Sequence, residues 1–162
     1  MGTGKTSVGK ILARKLGLEF VDIDRRIEEK AGRKIREIFK TDGEAAFRAL
    51  EKEEIRAAVP SAARGTVITT GGGAVLDPEN WGVLRAAGLV VALTAAPETV
   101  YRRVRHSDDR PLLSTGDRLT QIRSLMEERR PYYERADVSV PTDGKTPAQV
   151  AALLVKELED RP

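Results

Sequence analysis

The sequence predicts an α/β fold of three layers, a parallel sheet flanked by helices, and three observations carry that expectation. Short β-rich runs alternate with longer helical runs along the chain. Leu89-Val90-Val91-Ala92-Leu93 is apolar throughout, as a strand covered on both faces would be. Gly2-Thr3-Gly4-Lys5-Thr6 stands at the head of an amphipathic run, where a helix amino terminus can hold an anion.

The elements follow in order. Thr6 to Leu16 reads as a helix with Gly17 at the position just past its end. Leu18 to Val21 is a short strand ending at Asp22. Asp24 is placed to cap a helix running to about Ala31, closed by Gly32. Ile35 to Phe39 is a short helix, and Asp42 starts a longer one through Phe47, Leu50 and Ile55 that ends before Pro60. Thr66 to Thr70 is a strand running into Gly71-Gly72-Gly73. A helix from Pro78 to Ala87, the apolar strand, and a helix opened by Pro97 come next. Arg105 to Asp117 is polar and rich in breakers, which predicts a mobile loop. A helix to about Arg130, a strand near Val138 to Val140 and a last helix from Pro147 complete the chain.

At 162 residues the chain suits a single domain with a real core. Hydrophobic residues at 40% and charged residues at 33% give a soluble, ordered balance. No apolar run is long enough to span a bilayer, so no membrane partner is expected. With no cysteine, disulfides and thiolate metal sites are excluded, and a cytoplasmic location is expected. The net charge of +3 comes from cations interleaved with acids, and only three Phe, three Tyr and one Trp are present. That pattern does not make a nucleic-acid groove. It suits an enzyme handling anionic substrates, and a monomer is the default expectation. His106 is the only histidine and has no evident partners for metal or catalysis.

Gly2-Thr3-Gly4-Lys5-Thr6 matches the second half of a phosphate-binding loop, G-x-x-x-x-G-K-[ST]. Glycine lets the backbone approach phosphate, and the N–H groups of Gly2 to Ser7 are placed to bind its oxygens. Lys5 supplies a charge for the β- and γ-phosphates of a nucleotide, and Thr6 a hydroxyl for Mg²⁺. The first glycine of such a loop, and the strand that feeds it, would lie upstream of Met1. The expectation is therefore that Met1 is an internal methionine, with about ten residues and the first central strand missing.

Asp22-Ile23-Asp24 follows a strand, and i, i+2 spacing points both carboxylates to one side of an extended chain. One can hold Mg²⁺ and the other can accept hydrogen bonds from a substrate hydroxyl or take its proton; a turn residue and a helix cap remain the plain alternative. Arg48 lies on a helix with Glu51 three residues on, placed to hold its guanidinium. Arg110 lies in the loop and Arg129 near the end of a helix. Three arginines near a phosphate site suit a carboxylate anchor and a transition-state clamp. Gly71-Gly72-Gly73 is either a tight turn or a place where a ligand lies against bare backbone.

Taken in order, Gly-x-Gly-Lys-Thr, Asp-x-Asp, Phe-Arg-x-x-Glu, Gly-Gly-Gly, Arg-Pro-Leu-Leu and Arg-x-Pro-x-Tyr resemble the shikimate kinase family, over essentially the whole chain. The resemblance implies a P-loop kinase fold with one strand more than this chain supplies, and transfer of a phosphoryl group from ATP to shikimate, with Mg²⁺. It implies that residues 24–59 form the shikimate-binding region, with Asp24 on the hydroxyls, Arg48 and Arg129 on the carboxylate, and Gly71, Gly72 and Gly73 adding backbone contacts. Thr6 and Asp22 would serve Mg²⁺. Arg110 would close over the phosphates from a lid at 105–117, and Arg103 and Pro147 would sandwich adenine. Lys5, Asp24 and Arg110 are the implied catalytic residues. Two other readings fit the same pattern: a different small-molecule kinase, such as a gluconate kinase, or a nucleotide- or shikimate-binding module without turnover.

Overall fold

The computed structural model describes residues 2–59, 65–105 and 117–160. Helix α1 (Lys5–Leu16) buries Val8, Gly9, Leu12 and Ala13, and Gly17 ends it in the left-handed region at φ 66°. Strand β1 (Glu19–Asp22) passes at once into α2 (Ile23–Ala31), closed by Gly32 at φ 65°. The cap of α2 is Asp22 and not Asp24, because Asp22 Oδ1 accepts the Arg25 N–H at 3.1 Å. The chain is already helical at Ile23, so the extended-chain spacing argument for the two carboxylates does not apply. Asp24 sits in the first turn, where the helix dipole favours a negative charge.

Short helix α3 (Ile35–Thr41) leads into α4 (Gly43–Ala58), and strand β2 (Thr66–Thr69) follows. A 3₁₀ turn (Ala74–Leu76) and α5 (Pro78–Ala87) come next, with Asp77 capping α5 through the N–H groups of Glu79 and Asn80. Strand β3 (Val91–Thr94), α6 (Pro97–Val104), α7 (Arg118–Tyr133), β4 (Val138–Pro141) and α8 (Pro147–Glu159) complete the order. Helix α7 runs past the expected end at Arg130 and carries Pro131 in its last turn.

Both strand pairs are parallel, as the βα alternation predicts. β1 pairs with β2 from Glu19↔Thr66 to Asp22↔Thr69, and β3 with β4 from Val91↔Val138 to Thr94↔Pro141. Among the described residues the two pairs are not joined by backbone hydrogen bonds. The expectation that residues 89–93 form a strand covered on both faces is corrected accordingly. The strand begins at Val91, its four residues are only half-buried, and Leu89 is exposed.

A cavity of about 820 Å³ accounts for the half-burial of β3, since it is lined by Val90 and by each residue of the strand in turn. Successive residues of a strand face opposite ways, so a cavity touching all of them runs along the strand's edge. It continues to Thr70, Gly71 and Gly72, just past β2.

One core packs α1 and α8 around β4 through Val8, Leu12, Val138, Val140, Val150 and Leu154. A second holds α2, α3 and α4 together through Ile23, Ile27, Ile38, Phe47 and Ile55. Gly9 lets α1 close on the first strand pair, for a Cβ there would meet Thr69 Cγ2 at 2.6 Å and Phe20 Cε2 at 2.9 Å. These contacts set the amino terminus of α1 beside the carboxyl ends of β1 and β2, the end of an open α/β sheet where ligands bind.

Candidate active site

The phosphate loop is built by glycine conformations. Gly2 and Gly4 have φ of 63° and 87°, a region disfavoured for other residues. The Gly2 Cα packs on α6, where a Cβ would meet Val104 Cγ1 at 2.8 Å. Helix α1 then starts with no side-chain cap and no acid in its first turn. Its first N–H groups lack intrahelical acceptors, which is the chemistry of an anion site. Thr3 and Lys5 of this loop line the large cavity together with Gly71, Gly72 and Arg129.

Thr6 and Asp22, paired by the resemblance, lie side by side. Thr6 Oγ1 donates to Asp22 Oδ2 at 2.7 Å, and Thr69 Oγ1 donates to the same oxygen at 3.0 Å. The Thr69 contact follows from the register, which sets Asp22 directly beside Thr69. A hydroxyl and a carboxylate beside the phosphate loop form an oxygen donor set of the kind that suits Mg²⁺ when it shares phosphate oxygens and water. No group of three acidic or histidine side chains fit to hold a metal alone occurs among the described residues. Thr6, Asp22 and Asp24 line a second, polar cavity of about 330 Å³ with Lys10 and Arg25.

The substrate side gathers around Glu51, which the sequence placed against Arg48 but whose burial it did not reveal. Glu51 is fully buried, and its Oε2 accepts Arg48 Nη1 at 2.7 Å. Glu44 holds the same guanidinium from the other side, accepting Nε at 3.2 Å and Nη2 at 3.0 Å. Burial pushes the Glu51 carboxyl above its usual range; Arg48 and Arg129 pull it back, and the charge of Asp24 pushes it further up. Asp24, Arg48 and Arg129 are therefore the charges that act on Glu51. Glycines make room for them: a Cβ on Gly71 would lie 2.9 Å from Glu51 Oε1 and 3.1 Å from Asp24 Oδ1.

Arg129 is only 6% exposed, and its Nε has no hydrogen-bond acceptor among the described residues. A buried guanidinium with an unmet donor is costly unless an anion shares the site. The glycine turn is tied to the same helix by Tyr133, whose Oη donates to the Gly72 carbonyl at 2.7 Å. The Arg-x-Pro-x-Tyr motif contained that residue, but nothing in its spacing showed the partner.

Arg103 donates from Nη1 to Thr142 Oγ1 and from Nη2 to the Thr142 carbonyl, both at 2.9 Å. Thr142 leads toward Pro147 at the start of α8, so the two residues expected to flank adenine belong to neighbouring segments. Neither lines the two cavities. Ser7 is exposed in the first turn of α1. Arg110, His106 and residues 106–116 of the expected lid lie outside the described residues. No described helix is long and apolar enough to cross a membrane.

A glycine–lysine–threonine loop on a helix amino terminus, a hydroxyl–carboxylate pair beside it, and a parallel α/β scaffold define a phosphate-loop phosphotransferase. The shikimate kinase family model matches residues 1–159. The chain is 46% identical to the shikimate kinase of Geobacter metallireducens over 99% of its own length and 89% of the relative's. It is 43% identical to that of Thermodesulfovibrio yellowstonii, covering 98% and 91% of the two chains. Among solved structures, shikimate kinase from Acinetobacter baumannii in complex with shikimate superposes with a TM-score of 0.93, at 33% identity over 98% of this chain and 88% of that one. The Aquifex aeolicus shikimate kinase gives 0.84 at 34% identity over 98% and 92%. The chain belongs to the shikimate kinase family.

Proposed function

We propose that this site moves the γ-phosphoryl group of ATP onto a hydroxyl of shikimate within one kinase domain spanning residues 1–162. The observation that carries the reading is the buried, under-satisfied Arg129 facing the cavity that Lys5 also lines. That cavity offers both a phosphate loop and a cation suited to a carboxylate, as a phosphate donor and an acidic acceptor require.

Residues 24–59 form the acceptor region. Arg48, oriented by Glu44 and Glu51, and Arg129 hold the carboxylate; Gly72 offers backbone to the ring from the cavity wall, while Gly71 and Gly73 make room for Asp24, Glu51 and Arg48. Asp24 accepts hydrogen bonds from the substrate hydroxyls and takes the proton as the hydroxyl oxygen bonds to the γ-phosphorus. The bond from that phosphorus to the β–γ bridging oxygen breaks, and ADP leaves. Lys5 and the loop N–H groups bear the charge on the transferring group. Thr6 and Asp22 would hold Mg²⁺, which when bound neutralises phosphate charge. The resemblance alone assigns Arg110 to the phosphates, lid closure to 105–117, and Arg103 and Pro147 to the adenine.

The deciding experiment is ADP release by the chain with ATP and Mg²⁺, with shikimate, with gluconate and with neither. Release that depends on shikimate supports the reading. Release with gluconate alone overturns the acceptor, and shikimate binding without release establishes a binding module.

A further inference from the structure

Tyr133 is the last residue of α7, and its bond to the Gly72 carbonyl joins segments 61 positions apart. Two features make that bond more than a packing contact. Pro131 lies in the same final turn and has no N–H to give the Glu127 carbonyl, so this end of the helix lacks one of its own restraints. Arg129 lies four residues before Tyr133, on the same face of the helix, and both line the large cavity.

On the far side of the bond, Gly72 is followed by Gly73, on which the Arg48 guanidinium rests. One short path therefore runs from the helix of Arg129, through Tyr133 and Gly72, to Arg48. We propose that Tyr133 is a positioning residue that sets the separation of Arg48 and Arg129, and so the fit of the acceptor's carboxylate between them. This rests on the reading of those two arginines as the carboxylate pair.

The hydrogen bonds of this path run from Tyr133 to Gly72 and from Arg48 to Glu44 and Glu51, so its loss should fall on acceptor binding and not on nucleotide binding. Tyr133→Phe keeps the ring and removes only the hydroxyl. Shikimate affinity is read by titrating the fluorescence of Trp81, the only tryptophan, which lines the same cavity. The expected result is a three- to tenfold (~) weaker Kd for shikimate, with the KM for ATP unchanged and kcat kept within about twofold, the size of one lost hydrogen bond. A cyclohexene triol lacking the carboxylate should bind the variant and the parent equally.

A lower melting temperature with unchanged shikimate Kd would reduce Tyr133 to packing and overturn the proposal. An equal penalty for the analogue without its carboxylate, or for ATP, would do the same. Arg129→Ala in parallel separates the two claims. If it weakens shikimate binding and Tyr133→Phe does not, the positioning role alone is wrong; if neither does, the carboxylate pair itself is wrong.

Discussion

The guanidinium of Arg48 occupies the space where a side chain on Gly73 would begin: a Cβ there would lie 2.5 Å from Nη2, 2.8 Å from Nη1 and 2.9 Å from Cζ. Gly73 has φ −94° and ψ −9°, angles that alanine adopts without strain. Its glycine is thus required by the arginine and not by the backbone. Gly73→Ala should fold normally yet displace Arg48 and weaken shikimate binding by about tenfold or more, the loss of one charge-assisted contact. Titration with shikimate beside a melting curve tests it, and unchanged affinity would remove Arg48 from the carboxylate site.

Lys5 stands in the first turn of α1 and lines the cavity shared with Arg129. It is the proposed carrier of charge on the transferring group, and it is not among the residues of the hydrophobic cores. Lys5→Ala should cost at least about a hundredfold in kcat, as removing a donor from a developing charge does. Circular dichroism and the melting temperature should stay near those of the parent. Normal kcat would exclude Lys5 from the mechanism.

Much of this was legible in the sequence because it is local. Helix α1, its glycine stop and the Arg48–Glu51 pair follow from spacing along one element, whereas Thr6 beside Asp22 comes from the family resemblance. What escaped was set by long-range packing. Asp22 captured the cap assigned to Asp24 because the strand turns helical without a linker. The pairing of Glu51 with Arg48 was legible but its burial was not, because only α4 laid against Gly71 encloses it fully. The Tyr133 contact with a carbonyl depends on where the end of α7 meets the glycine turn, which no periodicity encodes. Residues 89–93 read as doubly covered because composition reports hydrophobicity and not what lies along a strand's edge.

Gly9 offers a test of the scaffold. Glycine within a helix costs about 1 kcal/mol relative to alanine, so propensity alone favours Gly9→Ala. Packing opposes it, because the new methyl would sit 2.6 Å from Thr69 Cγ2 and 2.9 Å from Phe20 Cε2. Thr69 also holds Asp22, so it is not free to move away. Overpacking of this kind costs about 1–3 kcal/mol and should win. Urea unfolding should show a loss of that order; a gain in stability would mean that α1 can lift off the first strand pair.

Glu51 sets a pH dependence whose sign can be stated in advance. Burial raises its carboxyl above the ordinary 4.5, with the charge of Asp24 acting in the same direction against Arg48 and Arg129. A carboxyl whose folded value is raised binds its proton more tightly in the native state than in the unfolded one. Its contribution to stability is therefore fully present below 4.5 and is lost as pH rises through the folded value. Glu51→Gln retains a carbonyl to accept from Arg48 but cannot titrate. Relative to that variant, the parent should lose stability steadily as pH increases from roughly 4 toward neutrality. Denaturant unfolding of both proteins across that range measures the difference directly. A constant difference would mean that the arginines cancel the burial, and a difference that moves toward the parent with rising pH would mean that they outweigh it.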